Sequence, residues 1–178
     1  MIHISELTAG QIVLLSGPRY LCFQHIHALM VQAALQRPLR VLVGGNRFSV
    51  YDLAYALAAR TGEYEEIMRQ RIHLARAETC YQMAELLIET ETLPLLTLVT
   101  DLTSSFYDPG VPEREIDQLL FRCIAELRRL SQAAPLLVSA SPGPARTRLL
   151  KALEKAAARV VHLQPLAQPA AYQRSLVV

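Results

Sequence analysis

The chain has 178 residues, a formal net charge of +2, and 52% hydrophobic against 19% charged residues. That balance describes one folded domain with a proper core and excludes a disordered chain. No stretch approaches the roughly 20 uninterrupted apolar residues of a membrane span, and Met1-Ile2-His3-Ile4-Ser5-Glu6 lacks the basic-then-apolar order of a signal peptide.

Short apolar runs alternate with longer amphipathic stretches. Ile12-Val13-Leu14-Leu15 reads as a buried strand closed by Ser16-Gly17-Pro18, and His25 to Gln36 as a helix ended by Pro38. Arg40 to Gly45 is a second strand, followed by a helix from about Val50 to Arg60. Ile72-His73-Leu74-Ala75 is a shorter third strand, and Glu78 to Glu89 carries apolar residues at helical spacing. Leu93 to Val99 is the most apolar strand and runs into Thr100-Asp101. After Pro109-Gly110-Val111-Pro112 comes a long helix from Glu113 to Ser131, then a strand Leu136 to Ser139, a helix Arg146 to Ala158, and an edge strand Val160 to Leu163. Continuous apolar strands separated by helices predict an α/β fold with a mostly parallel sheet flanked by helices on both faces. The Pro- and Ala-rich tail, residues 164–178, is expected to be disordered or to add an edge strand.

Cys22, Cys80 and Cys123 are scattered and odd in number, so they suit neither a metal site nor a complete disulfide set. They read as reduced core thiols of a cytoplasmic protein. Charge is unevenly spread. Gly62 to Asp117 holds twelve acidic residues against four arginines, whereas Pro142 onward holds Arg146, Arg148, Lys151, Lys155, Arg159 and Arg174 against Glu154 alone. Arg148, Lys151 and Lys155 share one face of a helix, a candidate surface for the nucleic-acid backbone, with a solvated helix face as the alternative.

Ligands of such sheets bind beyond the carboxyl ends of the strands. The first strand ends in Gly17-Pro18-Arg19-Tyr20-Leu21-Cys22-Phe23-Gln24, the place and length of a G-x-x-x-x-G-K-[ST] phosphate loop. Gly17 fills the first position, but Cys22, Phe23 and Gln24 stand where glycine, lysine and the magnesium-binding hydroxyl belong. A side chain at Cys22 would crowd the amide cradle, Phe23 removes the phosphate-neutralising cation, and Gln24 is a poor Mg²⁺ ligand. Arg19 could supply charge from another angle. Leu95 to Asp101 has the apolar-run-then-aspartate form of a Walker B strand, with a loop-bonding Asp101 as the alternative. His25 and His27, two apart, face different sides of a helix and make poor joint metal ligands.

Taken in order, these segments resemble the RecA-like recombinases, the strand-exchange ATPases and their paralogues, over residues 4–163. Ile4 to Ile12 looks like the family's lead into its first core strand, and Val41 to Phe48 like its strand, acidic pair and phenylalanine. Arg71 to Ala77, Leu98 to Phe106, Arg114 to Leu130 and Leu137 to Ser141 are similar to the elements that follow. The resemblance implies a RecA-like P-loop core over residues 1–163. It places the family's catalytic glutamate at Gly45, so of the hydrolytic set only Asp101 is retained. The DNA-binding loops are short, with Pro142-Gly143-Pro144-Ala145 as the whole of the second, and no DNA-binding or polymerisation segment precedes the core.

The expected protein is therefore a non-catalytic recombinase paralogue without ATP or Mg²⁺. It would act as an accessory factor in DNA repair or recombination by contacting DNA, a true recombinase or both. The alternative is an interaction scaffold, homo-oligomeric or bound to another protein, whose dead pocket is filled by Phe23 and Cys22. An enzyme using Arg19 in the lysine's role is set against by the joint loss of lysine and glutamate.

Overall fold

Strands as apolar as these need cover on both sides, and the helices supply it. The computed structural model describes residues 2–143 and 146–165. Six strands form one parallel sheet: β1 (Ile12–Ser16), β2 (Leu39–Gly44), β3 (Ile72–Ala77), β4 (Leu96–Thr100), β5 (Leu136–Ala140) and β6 (Arg159–His162), in the spatial order β3-β2-β4-β5-β1-β6. Every residue of β1, β4 and β5 is buried, whereas the edge strands β3 and β6 expose alternate or terminal positions.

Six helices connect them: α1 (Arg19–Gln36), α2 (Val50–Ala58), α3 (Tyr64–Arg71), α4 (Cys80–Glu89), α5 (Glu113–Ala133) and α6 (Thr147–Ala156). The chain steps from β1 through β2 to β3 toward one edge, then returns through β4 and β5 to β6 at the other. Right-handed crossovers in opposite directions put their helices on opposite faces. One core accordingly joins the sheet to α1, α2 and α3 through Ile26, Met30, Leu53, Leu57 and Ile67. The other joins it to α4, α5 and α6 through Met83, Leu87, Ile116, Leu127, Leu149 and Leu153. Where neighbouring strands send their helices to opposite faces, at β1/β5 and β2/β4, a crevice opens at the carboxyl ends of the strands.

Two elements depart from the sequence reading. Helix α1 begins at Arg19, six residues before the predicted start at His25, because Pro18 at its N-cap turns the chain directly out of the strand. Helix α3 was not predicted. It is largely polar and buries only Ile67, but Glu65 and Glu66 lie in its first turn and Arg69 and Arg71 in its last, favourable to the helix dipole. Arg71 also donates to the carbonyls of Ala34 and Leu35 at 3.2 and 3.0 Å, tying α3 to the end of α1. Within the tail, only Gln164 and Pro165 are described, and they carry no regular structure; the expectations for residues 166–178, like the second-loop positions Pro144 and Ala145, lie outside the described residues. Among the described residues, no helix is long and apolar enough to cross a membrane.

Candidate functional site

With α1 starting at Arg19, the segment read as a phosphate loop is a two-residue turn and then helix. This corrects the reading of Cys22, Phe23 and Gln24 as loop residues. Cys22 lies one turn into α1 with its Sγ 3.8 Å from the Leu15 carbonyl and 3.6 Å from that of Gly17. Burial pushes its thiol up to about 11, so it is a packed, unreactive group. Gln24 is exposed on the helix surface. Phe23 is half-buried, stacked on His27 with ring centroids 5.5 Å apart and edge-on to Phe48 at 6.5 Å. Desolvation lowers the His27 pKa. Gly17 is committed elsewhere. The Leu163 amide donates to the Ser16 carbonyl at 2.7 Å, and the position a Cβ would take on Gly17 lies 2.5 Å from the Leu163 carbonyl oxygen. The chain leaving β6 thus crosses over the turn, and only glycine permits that approach.

Arg19, read as a substitute cation, and Asp101, read as a Walker B-like acid, meet each other. Arg19 Nε stands 3.1 Å from Asp101 Oδ2, close enough for an ion pair but without hydrogen-bond alignment, so that Nε remains otherwise unpartnered. Asp101, directly after β4, sits in the left-handed region at φ 51°, a conformation aspartate tolerates better than most residues. Its amide donates to Ser139 Oγ at 2.9 Å, which fixes the turn against β5. Burial raises the Asp101 pKa, opposed by the charges of Arg19 and Arg47. Its Oδ1 is buried with no partner.

The pair divides the crevice into two chambers. The larger, about 440 Å³, is walled by Tyr20, Phe23, Ile26, Val43 and Phe48, with Arg19, Arg47, Asp52 and Asp101 supplying charge. It remains open, so Phe23 and Cys22 line the pocket and do not fill it. The smaller, about 260 Å³, is polar and lined by Asn46, Arg47, Glu78, Ser104 and Ser105. Ser104 Oγ and Ser105 Oγ are buried there with no hydrogen-bond partner among the described residues. The loop between the chambers is held by Arg76, which donates to the Phe48 carbonyl at 2.6 Å, and by the Gly45 amide, which donates to the Ala77 carbonyl at 2.8 Å. Gly45 sits at φ +77°, and a Cβ there would lie 2.5 Å from Ser104 Oγ. No glutamate fits this position without displacing the serine.

The basic segment is less free than its sequence suggests. Arg146, read as a surface cation, is 7% exposed. Its guanidinium donates to the carbonyls of Phe106 (2.6 Å), Asp108 (2.9 Å) and Val111 (2.9 Å) and to Glu113 (2.6 Å). It is a clamp on the loop before α5. Arg148 is exposed but paired with Glu113 and with Asp117 at 2.9 Å, and Arg159 pairs with Glu6 at 2.8 Å. Lys151 and Lys155 are exposed and form no ion pair among the described residues.

Arg47, Phe48, Asp52, Ser104, Ser105 and Ser139 were not singled out as site residues from sequence. The available signal was position for Arg47 and Phe48 after β2, Ser104 and Ser105 after β4, and Ser139 next to last in β5, whereas Asp52, in the first turn of α2, had none. Fold and site together define a doubly wound α/β protein with a two-chambered crevice at its strand switch points. A scan against protein-family models finds no match to this chain, and a search of the curated proteins finds none either.

Proposed function

We propose that the chain is a RecA-paralogue-like core that does not hydrolyse ATP and serves as an accessory factor in DNA repair or recombination, contacting DNA, a catalytic recombinase, or both. One observation carries the reading. The segment read as a phosphate loop is a two-residue turn running straight into α1, and Arg19, the cation left to stand in for the lysine, is taken up at the start of that helix by Asp101. Hydrolysis needs backbone amides around the phosphates, a cation on them and an acid orienting water. Here Gly17 is covered by Leu163 and Gly45 has no room for a carboxylate. The strand order and the order of the matched segments support the recombinase likeness, and the role in repair rests on that likeness.

A second reading, a protein-interaction scaffold without nucleic acid, is favoured by the internal pairing of Arg146, Arg148 and Arg159.

Thermal unfolding with ATP, ADP and Mg²⁺ tests the nucleotide half. A ligand of the folded state at 100 times its Kd stabilises by about 2.7 kcal/mol, and the expected result is no shift. A clear Mg²⁺-dependent shift with ATP overturns the reading.

A further inference from the structure

The long helix α5 carries Glu113, Glu115, Asp117 and Glu126 against Arg114, Arg122, Arg128 and Arg129. The acids are all engaged. Glu113 binds Arg146 and Arg148, Asp117 binds Arg148, Glu126 binds Arg129 at 2.5 Å, and Glu115 accepts from the Tyr81 hydroxyl. Three of the arginines are not. Arg114, Arg122 and Arg128 are exposed and form no ion pair among the described residues. At 100° per residue, Arg114, Gln118, Phe121, Ala125 and Arg128 fall along one outward line of the helix, with Arg122 at its border. Phe121, at the middle of that line, is 73% exposed. A groove runs beside it, lined by Arg114, Asp117, Gln118, Phe121 and Arg122.

The neighbouring helix extends this face. α5 and α6 both cross between parallel strands on the same side of the sheet, so they run in the same direction. Arg148 touches Glu113 and Asp117 at the start of α5. Lys151 and Lys155, one and two turns further along the same face of α6, are exposed and continue this edge.

We propose that the outward face of α5 and the adjoining edge of α6 form a surface for single-stranded nucleic acid, with Phe121 stacking a base and Arg114, Arg122, Arg128, Lys151 and Lys155 meeting phosphates. It deepens the accessory-factor reading and rests on the DNA-binding half of it. The charge carries the choice of partner. Five cations form no ion pair among the described residues, the three on α5 spanning about 21 Å from Arg114 to Arg128, and a polyanion neutralises all of them at once. An exposed ring among arginines adds sequence-tolerant stacking, which an unpaired base offers and a closed duplex does not. The surface lies on the outward sides of α5 and α6, and it uses only the two lysines of the basic segment singled out from sequence.

The test is fluorescence anisotropy of a labelled oligothymidylate with the intact protein between about 50 and 200 mM salt. Phe121→Ala is expected to weaken binding about tenfold. Arg122→Gln is expected to reduce the slope of log K against log salt by about 0.7. These side chains are exposed, so melting temperatures serve as the folding control. A charge-reduced variant, Arg114→Gln with Arg128→Gln, should weaken binding further with the fold intact. If the wild-type protein binds the oligonucleotide and these variants bind equally well, the surface is wrong while the DNA-binding reading stands. If the wild-type protein binds no oligonucleotide at low salt, both fall. Polyglutamate competing as strongly as oligothymidylate would assign the face to an acidic protein and overturn the proposal.

Discussion

Arg146 illustrates how one position can reverse its meaning between sequence and structure. In sequence it opens a basic helix, but its three carbonyl contacts and its bond to Glu113 make it the fastener of the 106–113 loop. Arg146→Ala leaves those buried acceptors without a donor and is expected to destabilise the protein by about 2–4 kcal/mol. Urea unfolding measures this, and a loss within the range of ordinary surface substitutions would mean the loop does not need its clamp. Asp101 makes a prediction of opposite character. Burial raises its pKa, so its contribution is fully present below the ordinary aspartate value of 3.8 and is lost as pH rises through the higher folded value. Asp101→Asn removes that dependence while keeping a residue suited to the left-handed turn. The stability of the wild type relative to the variant should therefore fall as pH rises through the carboxylate range, as urea midpoints at several pH values would record. A rise would mean that pairing with Arg19 outweighs burial.

At the scale of elements, the start of α1 shapes the rim of the crevice. A phosphate loop needs several non-helical residues between strand and helix so that successive amides can turn inward. Pro18, with φ fixed near the helical value, closes that interval to Gly17 and itself. The covering segment after β6 then occupies the space above. Gly17→Ala would press a methyl group onto the Leu163 carbonyl at a φ of +156°, and is expected to cost about 1–3 kcal/mol. Thermal unfolding measures it, and an unchanged melting temperature would show that the β6 crossing yields easily. Elements with strong apolar periodicity or uniform burial were legible in sequence. β1, β4 and β5 match their predicted strands to within a few residues, and α5 starts at Glu113 as read. α3 was not read, because its eight residues carry only Tyr64, Ile67 and Met68 among charged and polar neighbours, a stripe one turn long.

At the scale of the molecule, two cores share one sheet, and the strand order sets what meets at its carboxyl edge. That order places the ends of β2, β4 and β5 beside the start of α1, which is how Phe48, Asp101, Ser139 and Arg19 come together from distant positions. The same order stacks α4, α5 and α6 on one face, so Glu113, Glu115 and Asp117 of α5 find partners on its neighbours and three of its arginines are left facing outward.

The sequence alone determined the class of fold, because runs such as Ile12 to Leu15 and Leu96 to Val99 are apolar on both faces and only a covered parallel sheet satisfies them. It also determined that, of a G-x-x-x-x-G-K-[ST] pattern starting at Gly17, only the first glycine is present, with Cys22, Phe23 and Gln24 at the other positions, since that is a matter of residue identity. Tertiary structure decided the rest: that Arg19 is joined to Asp101, that the crevice stays open beneath Phe23, that Gly17 is covered, and which cations remain unpaired. Those outcomes depend on which strand ends and helix faces become neighbours, and contacts across tens of residues leave no local pattern in the chain.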